Sequence, residues 1–230
     1  TIHNLKYQGQ FGQEIFAWTN LPGYFMSDYD LKFYDSISFL KGGIVHANAV
    51  NTVSKTYAEE ILYPFFGEGL QSVIQAYKGK ISGIVNGIDE EIWNPKKDKY
   101  LKECYDIKSV DKKAENKLEI QKRYGLPVRE DVPMVVMISR LTEMKGLDLV
   151  RYILEEFLQD DVQFVVLGTG DYTYEEMFKY FEYKYPEKCA ARIYYSNEES
   201  HLLYSAADLF LMPSVSEPCG LSQMIAMRYG

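Results

Sequence analysis

From residue 132 onward, four short apolar runs alternate with helix-like stretches. The runs are VPMVVMI (132–138), VQFVVLG (162–168), RIYYS (192–196) and LFLMP (209–213). The helical stretches are 146–158, 174–184, 198–206 and 220–229. A strand with one wet face alternates apolar and polar residues, whereas these runs are nearly continuous, so both faces must be covered. Helices between such strands supply the cover, which predicts an α/β fold with a parallel sheet.

In that architecture ligands bind outside the carboxyl ends of the strands. One strand-to-helix junction there is SRLTEMKG (139–146), which carries the guanidinium of Arg140 and the ammonium of Lys145. The helix after it places Val150, Ile153, Leu154, Phe157 and Leu158 on one face. On their own, Arg140 and Lys145 read equally as solvated loop charges. LGTGD (167–171) is a partial glycine motif that turn-making also explains. SVSEPCGLSQM (214–224) is more specific, because Pro218 and Gly220 sit where a helix start offers unpaired N–H groups to an anion. Glu217 beside an anion site suits a ligand with hydroxyls as well as phosphate; it equally suits a simple helix cap.

The first half is less regular. His3 follows a strand-like TIHNL, Pro22-Gly23 marks a turn, and SISFLKGGIVHANAV reads as a helix running into a strand. Ser54 is a good N-cap for the helix KTYAEEILYPF. KISGIVNGID (80–89) reads as a strand closed by a tight Asn86-Gly87 turn with positive φ. The segment 93–131 is rich in Lys, Glu and Asp and carries a solvated helix, KKAENKLEIQKRYG, capped by Gly125. A domain boundary is expected between about 80 and 95, ahead of this polar segment.

A net charge of −8 opposes nucleic acid and anionic membranes, so any phosphate site must be local. The 3 Cys lack CxxC pairing and give neither a disulfide framework nor a zinc site, which fits a reducing cytosol. His3, His46 and His201 are scattered without metal-ligand spacing, and no run is long enough to span a membrane.

Seven stretches in order, TIHNLKYQG, KTYAEEI, GIVNGID, KAENKLEIQ, SRLTEMKGLDL, LGTGD and SEPCGLSQM, make the chain resemble the bacterial glycogen synthase / starch synthase family. The resemblance implies two Rossmann-like domains of GT-B type, both incomplete here: the acceptor-side domain over 1–85 and the nucleotide-sugar domain over 86–230. It implies a central fragment of a retaining glucosyltransferase acting on ADP-glucose and an α-1,4-glucan, in a bacterial cytoplasm, without cofactor or metal, and a fragment that alone has little or no transferase activity. Arg140 and Lys145 would hold the diphosphate and Glu217 the glucose hydroxyls, with Cys219, Gly220 and Leu221 helping. His3 would lie over the reacting face and Asn86 would approach the sugar. Gly168 and Tyr195 would border the nucleotide. A ribose-holding Glu that related enzymes carry is Ile225 here. UDP-glucose chemistry and a non-catalytic glucan- or nucleotide-binding relative are the alternatives.

Overall fold

The computed structural model describes residues 1–230, which divide into two compact units, Thr1–Asn86 and Gly87–Gly230. No helix in either is long and apolar enough to cross a membrane.

The first unit opens with β1 (Gln10–Gly12), β2 (Lys32–Phe33) and β3 (Ser36–Ser38), an antiparallel sheet in the order β1-β3-β2. The sequence does not announce it, because no two-residue apolar period runs through these strands. The neighbouring chain is fastened instead by the buried Lys41, whose ammonium donates to the carbonyls of Asp28 at 2.7 Å and Lys32 at 2.5 Å. Ser38 caps α1 (Phe39–His46), accepting from the Lys41 amide at 3.1 Å. Then comes β4 (Val50–Thr52), and Ser54 caps α2 (Lys55–Glu60) through the Tyr57 amide at 2.9 Å. This helix stops at Glu60 instead of reaching Phe65. Pro64 holds Tyr63 in the β region and starts α3 (Pro64–Gly67) in its place. After α4 (Gln71–Ala76), β5 (Ile81–Gly83) pairs in parallel with β4, and Ile2 adds a parallel bridge to Thr52.

The expected tight turn at Asn86-Gly87 is absent, since neither residue has positive φ. An Asn-Gly hairpin needs an antiparallel partner to fold back on, and β5 has a parallel one. The chain runs on past the strand, with the Ile84 amide donating to Thr52 O at 2.8 Å.

The second unit is the predicted parallel sheet. α5 (Lys113–Tyr124) ends at Gly125, which takes the left-handed conformation (φ 73°) expected of it. There follow β6 (Met134–Ile138), α6 (Leu147–Phe157), β7 (Gln163–Leu167), α7 (Tyr172–Lys184), β8 (Cys189–Arg192), α8 (Asn197–Ala206), β9 (Leu209–Phe210) and α9 (Ser222–Tyr229). The strand order is β8-β7-β6-β9, all parallel. Successive residues of β6 serve opposite faces. Val135 and Met137 pack with Val150 and Leu154 of α6 and with Phe178 and Phe181 of α7. Met134 and Val136 pack with Ile120 of α5 and Leu202, Leu203 and Ala206 of α8. That two-sided burial is why the strands read as unbroken apolar runs.

Three details depart from expectation. Strand β8 is CAAR, not RIYYS, because its ladder with β7 ends where β7 ends, at Leu167 opposite Arg192. Residues 193–196 therefore run past the sheet edge. Ile153 of the predicted α6 stripe is 48% exposed, and Leu147 is buried in the core instead. Finally, α9 starts at Ser222, so Pro218 and Gly220 lie in the loop before it, not at the helix start.

Candidate functional site

The carboxyl edge of the second unit's sheet is stitched together beyond the strands themselves. The Ser139 amide donates to Leu167 O (3.2 Å) and the Leu141 amide to Thr169 O (2.9 Å), and Leu141 bridges Gly170 in parallel. The loops after β6 and β7 thus continue as a short ladder. Gly168 makes this possible, since a Cβ there would stand 1.9 Å from Ser139 O. Leu141 is fully buried, and the alternation of extended chain leaves Arg140, just before it, exposed.

The loop after β9 comes in from the other side. Gly146, at φ 70°, would carry a Cβ 2.1 Å from Pro213 O, so only glycine fits where the two loops cross. The Val215 amide donates to Met144 O at 3.0 Å. This brings Lys145 Nζ to 2.5 Å from Glu217 Oε2, and Ser214 Oγ donates to the same oxygen at 3.2 Å. Both side chains of the ion pair are about four-fifths buried, 19% and 23% exposed. Glu217 does not cap the following helix, whose first turn has no side-chain cap.

Between the loops after β6, β7 and β8 and the helices α8 and α9 lies a cleft of about 310 Å³. Arg140, Gly168 and Tyr195 line it together, as do Ser139, Thr169, Asn197 and Trp93. Lys145 lines a smaller adjoining hollow with Ser214, and Ser139 and Ser222 belong to both. The loop carrying Tyr195 is anchored by its neighbour: Tyr194 OH donates to Glu199 Oε2 at 2.8 Å. Burial, with the Glu199 carboxylate alongside, pushes the Tyr194 phenol up to about 12, so it remains a donor at neutral pH.

Of the residues singled out from sequence, Arg140, Gly168, Tyr195, Lys145 and Glu217 therefore gather at one edge of one sheet. Cys219, Gly220 and Leu221 form the loop from Glu217 to α9, where Cys219 O accepts from Gln223 Nε2 at 2.8 Å. His3 and Asn86 belong to the first unit. There His3 is exposed, directly after the Ile2–Thr52 bridge, and the half-buried Asn86 follows β5. Ser139, Thr169, Asn197, Ser222 and Trp93 are additions that only the structure supplies. Ser139 and Thr169 sit inside the two strand-end motifs, where position alone is enough to flag them. Trp93, a lone indole in a polar segment, carries no local signal of the cleft.

Comparison with known proteins gives the class first. Residues 1–76 match the family model "Starch synthase catalytic domain" and residues 119–230 match "Glycosyl transferases group 1". The solved catalytic domain of starch synthase IV from Arabidopsis thaliana, bound to ADP and acarbose, superposes with a TM-score of 0.91 at 36% identity, over 99% of this chain and 48% of that one. The architecture is that of a GT-B glycosyltransferase. The glycogen synthase of Finegoldia magna is 58% identical and that of Clostridium novyi 49% identical, each over the whole chain and 48% of the relative. The chain belongs to the glycogen synthase and starch synthase family. It spans about half the length of the curated relatives it matches.

Proposed function

We propose that the chain works in an α-1,4-glucan synthase, transferring glucose from ADP-glucose to the non-reducing end of a glucan with retention of configuration. The observation that carries this reading is the Lys145–Glu217 pair set beside the Arg140-, Gly168- and Tyr195-lined cleft at the carboxyl edge of the sheet. A nucleoside diphosphate sugar needs such a combination, with cations for the diphosphate and an acceptor for sugar hydroxyls.

In this reading Arg140 and Lys145 stabilise the diphosphate as it leaves and the anomeric carbon becomes oxocarbenium-like. A guanidinium holds two phosphate oxygens in one plane, whereas an ammonium acts as a point charge with three donors. Lys145 can therefore keep Glu217 and still donate to phosphate. Lys145 and Ser214 both bond Oε2, and in this reading Oε1 accepts from a glucose hydroxyl. Gly168 and Tyr195 border the nucleotide, and the 219–221 loop assists at the sugar and phosphate. His3 acts on the sugar from the acceptor-side domain and Asn86 from the hinge that follows it. The acceptor attacks the face from which the diphosphate departs, and the leaving oxygen takes its proton.

Calorimetric titration of ADP, ADP-glucose and UDP into the chain, with Arg140→Ala and Lys145→Ala alongside, tests the reading. Binding of ADP over UDP, lost in both variants, is the expected result. Equal binding of UDP overturns the donor, and a trapped covalent glucosyl-enzyme overturns the same-face mechanism.

A further inference from the structure

Behind the cleft the second unit buries a carboxylate–imidazole pair that the proposed chemistry does not use. His201 Nδ1 lies 2.6 Å from Asp98 Oδ2, and each side chain is only 2% exposed. Tyr229 OH donates to the same carboxylate oxygen, and the Tyr100 amide donates to Oδ1 at 3.0 Å. An ionised carboxylate only accepts, so Nδ1 carries the proton and the tautomer is fixed. His201 Nε2 is buried with no hydrogen-bond partner. The imidazole is thus held by one edge alone, and what it does with its face becomes the question.

Its face lies on Trp93. The two rings stack with centroids 4.0 Å apart and planes 13° from parallel. Tyr204 meets the indole edge-on at 5.7 Å. Trp93 and Tyr204 both line the cleft, while Asp98 and His201 do not. Trp93 stands in the polar segment before α5, outside any helix or strand, so no ladder or helix fixes its ring.

We infer that Asp98 and His201 form a positioning pair that fixes the Trp93 indole as one wall of the cleft. This rests on the reading of that cleft as a nucleotide-sugar site. Asp98 sets the imidazole's rotation, the imidazole sets the indole's plane, and the indole sets the cleft's width for the ADP moiety. A buried polar pair is a costly way to fill a core that Leu or Phe would fill as well. Orientation of a half-buried ring that lines a cleft is what such a pair adds, as outer-shell partners do for the groups they hold.

The test uses the full chain with Trp18→Phe, which removes the other indole, 80% exposed in the first unit. Acrylamide quenching of Trp93 and the Kd for ADP are then compared between this parent, Asp98→Ala and His201→Gln. Phe178→Leu, a core change on another face, serves as the control for lost stability. Expected are stronger quenching of Trp93 and ADP binding weakened roughly tenfold in both pair variants, with neither changed in the control. Should Asp98→Ala not fold, Asp98→Asn keeps the shape and one acceptor, and shifts both readouts in the same direction by less. Quenching indistinguishable from the parent in folded variants overturns the inference. A parent chain that binds no ADP sinks the reading of the cleft instead, and the quenching comparison still decides whether the pair positions Trp93.

Discussion

Lys145 and Glu217 meet at 2.5 Å across 72 positions of sequence, with less than a quarter of either side chain exposed. The pair joins the loop after β6 to the loop after β9, so it serves the frame of the site as well as its charge. A double-mutant cycle with Lys145→Ala and Glu217→Ala, read by urea unfolding, should give a coupling of about 1 kcal/mol. Independent single effects would mean that the pair does not hold the loops. In the proposed full-length synthase, Lys145→Ala and Arg140→Ala should each lower kcat for glucose transfer from ADP-glucose roughly 10²–10³-fold.

Gly168→Ala should cost more than about 2 kcal/mol of stability, with ADP binding lost in parallel. The added methyl would meet Ser139 O, a main-chain atom that cannot rotate away. Thermal melting and calorimetry on the same sample check both effects. An unchanged melting temperature would show that the two loops part easily.

Much of this site is legible in the sequence alone. Arg140, Lys145, Gly168 and Glu217 all follow strands whose apolar runs are unmistakable, and strand ends are where an α/β sheet keeps its ligands. What stays hidden is set by distance along the chain. Asp98 and His201 are 103 positions apart, and no periodicity encodes their meeting. Strand β8 falls earlier than its residue types suggest for another reason. Ile193, Tyr194 and Tyr195 favour β structure more than Cys189, Ala190 and Ala191 do, yet the end of β7 decides where the ladder stops. The antiparallel sheet near the start is held by Lys41 reaching carbonyls, a device with no sequence pattern.

Asp98 makes the acid response of the fold predictable. Burial opposes its charge, but hydrogen bonds from His201, Tyr229 and the Tyr100 amide outweigh that and hold its pKa below the ordinary value. On acidification the unfolded chain therefore takes up the proton first. The stabilisation is complete above the ordinary carboxylate range and is lost as pH falls through the lower folded value. Melting temperatures measured between about pH 5 and pH 3 should fall less steeply for Asp98→Asn than for the parent. Parallel curves would remove Asp98 from the acid response.

The three thiols should separate by reactivity. Burial pushes Cys189 up to about 12, whereas Cys104 is exposed and Cys219 partly so. A chromogenic disulfide reagent at neutral pH should titrate two thiols in the native chain and the third only after unfolding. Three fast-reacting thiols would indicate that the sheet opens at β8.

Phe178 is fully buried and stacks on Phe164 at 6.1 Å in the layer between sheet and α7. Phe178→Ala should cost about 3–5 kcal/mol, seen as a lower urea midpoint at unchanged slope. A loss below about 1 kcal/mol would mean that the layer refills the space.

The short ladder that continues β6 and β7 past the sheet has a consequence for how such a site can be altered. Its floor is main chain, locked by the Ser139–Gly168 approach and the Leu141–Gly170 bridge, while the side chains at 140, 169, 195 and 197 line the cleft. On the proposed reading, scaffold and selectivity are separable, and laboratory libraries seeking a new nucleotide donor belong at those four positions, where substitutions leave the main-chain floor in place.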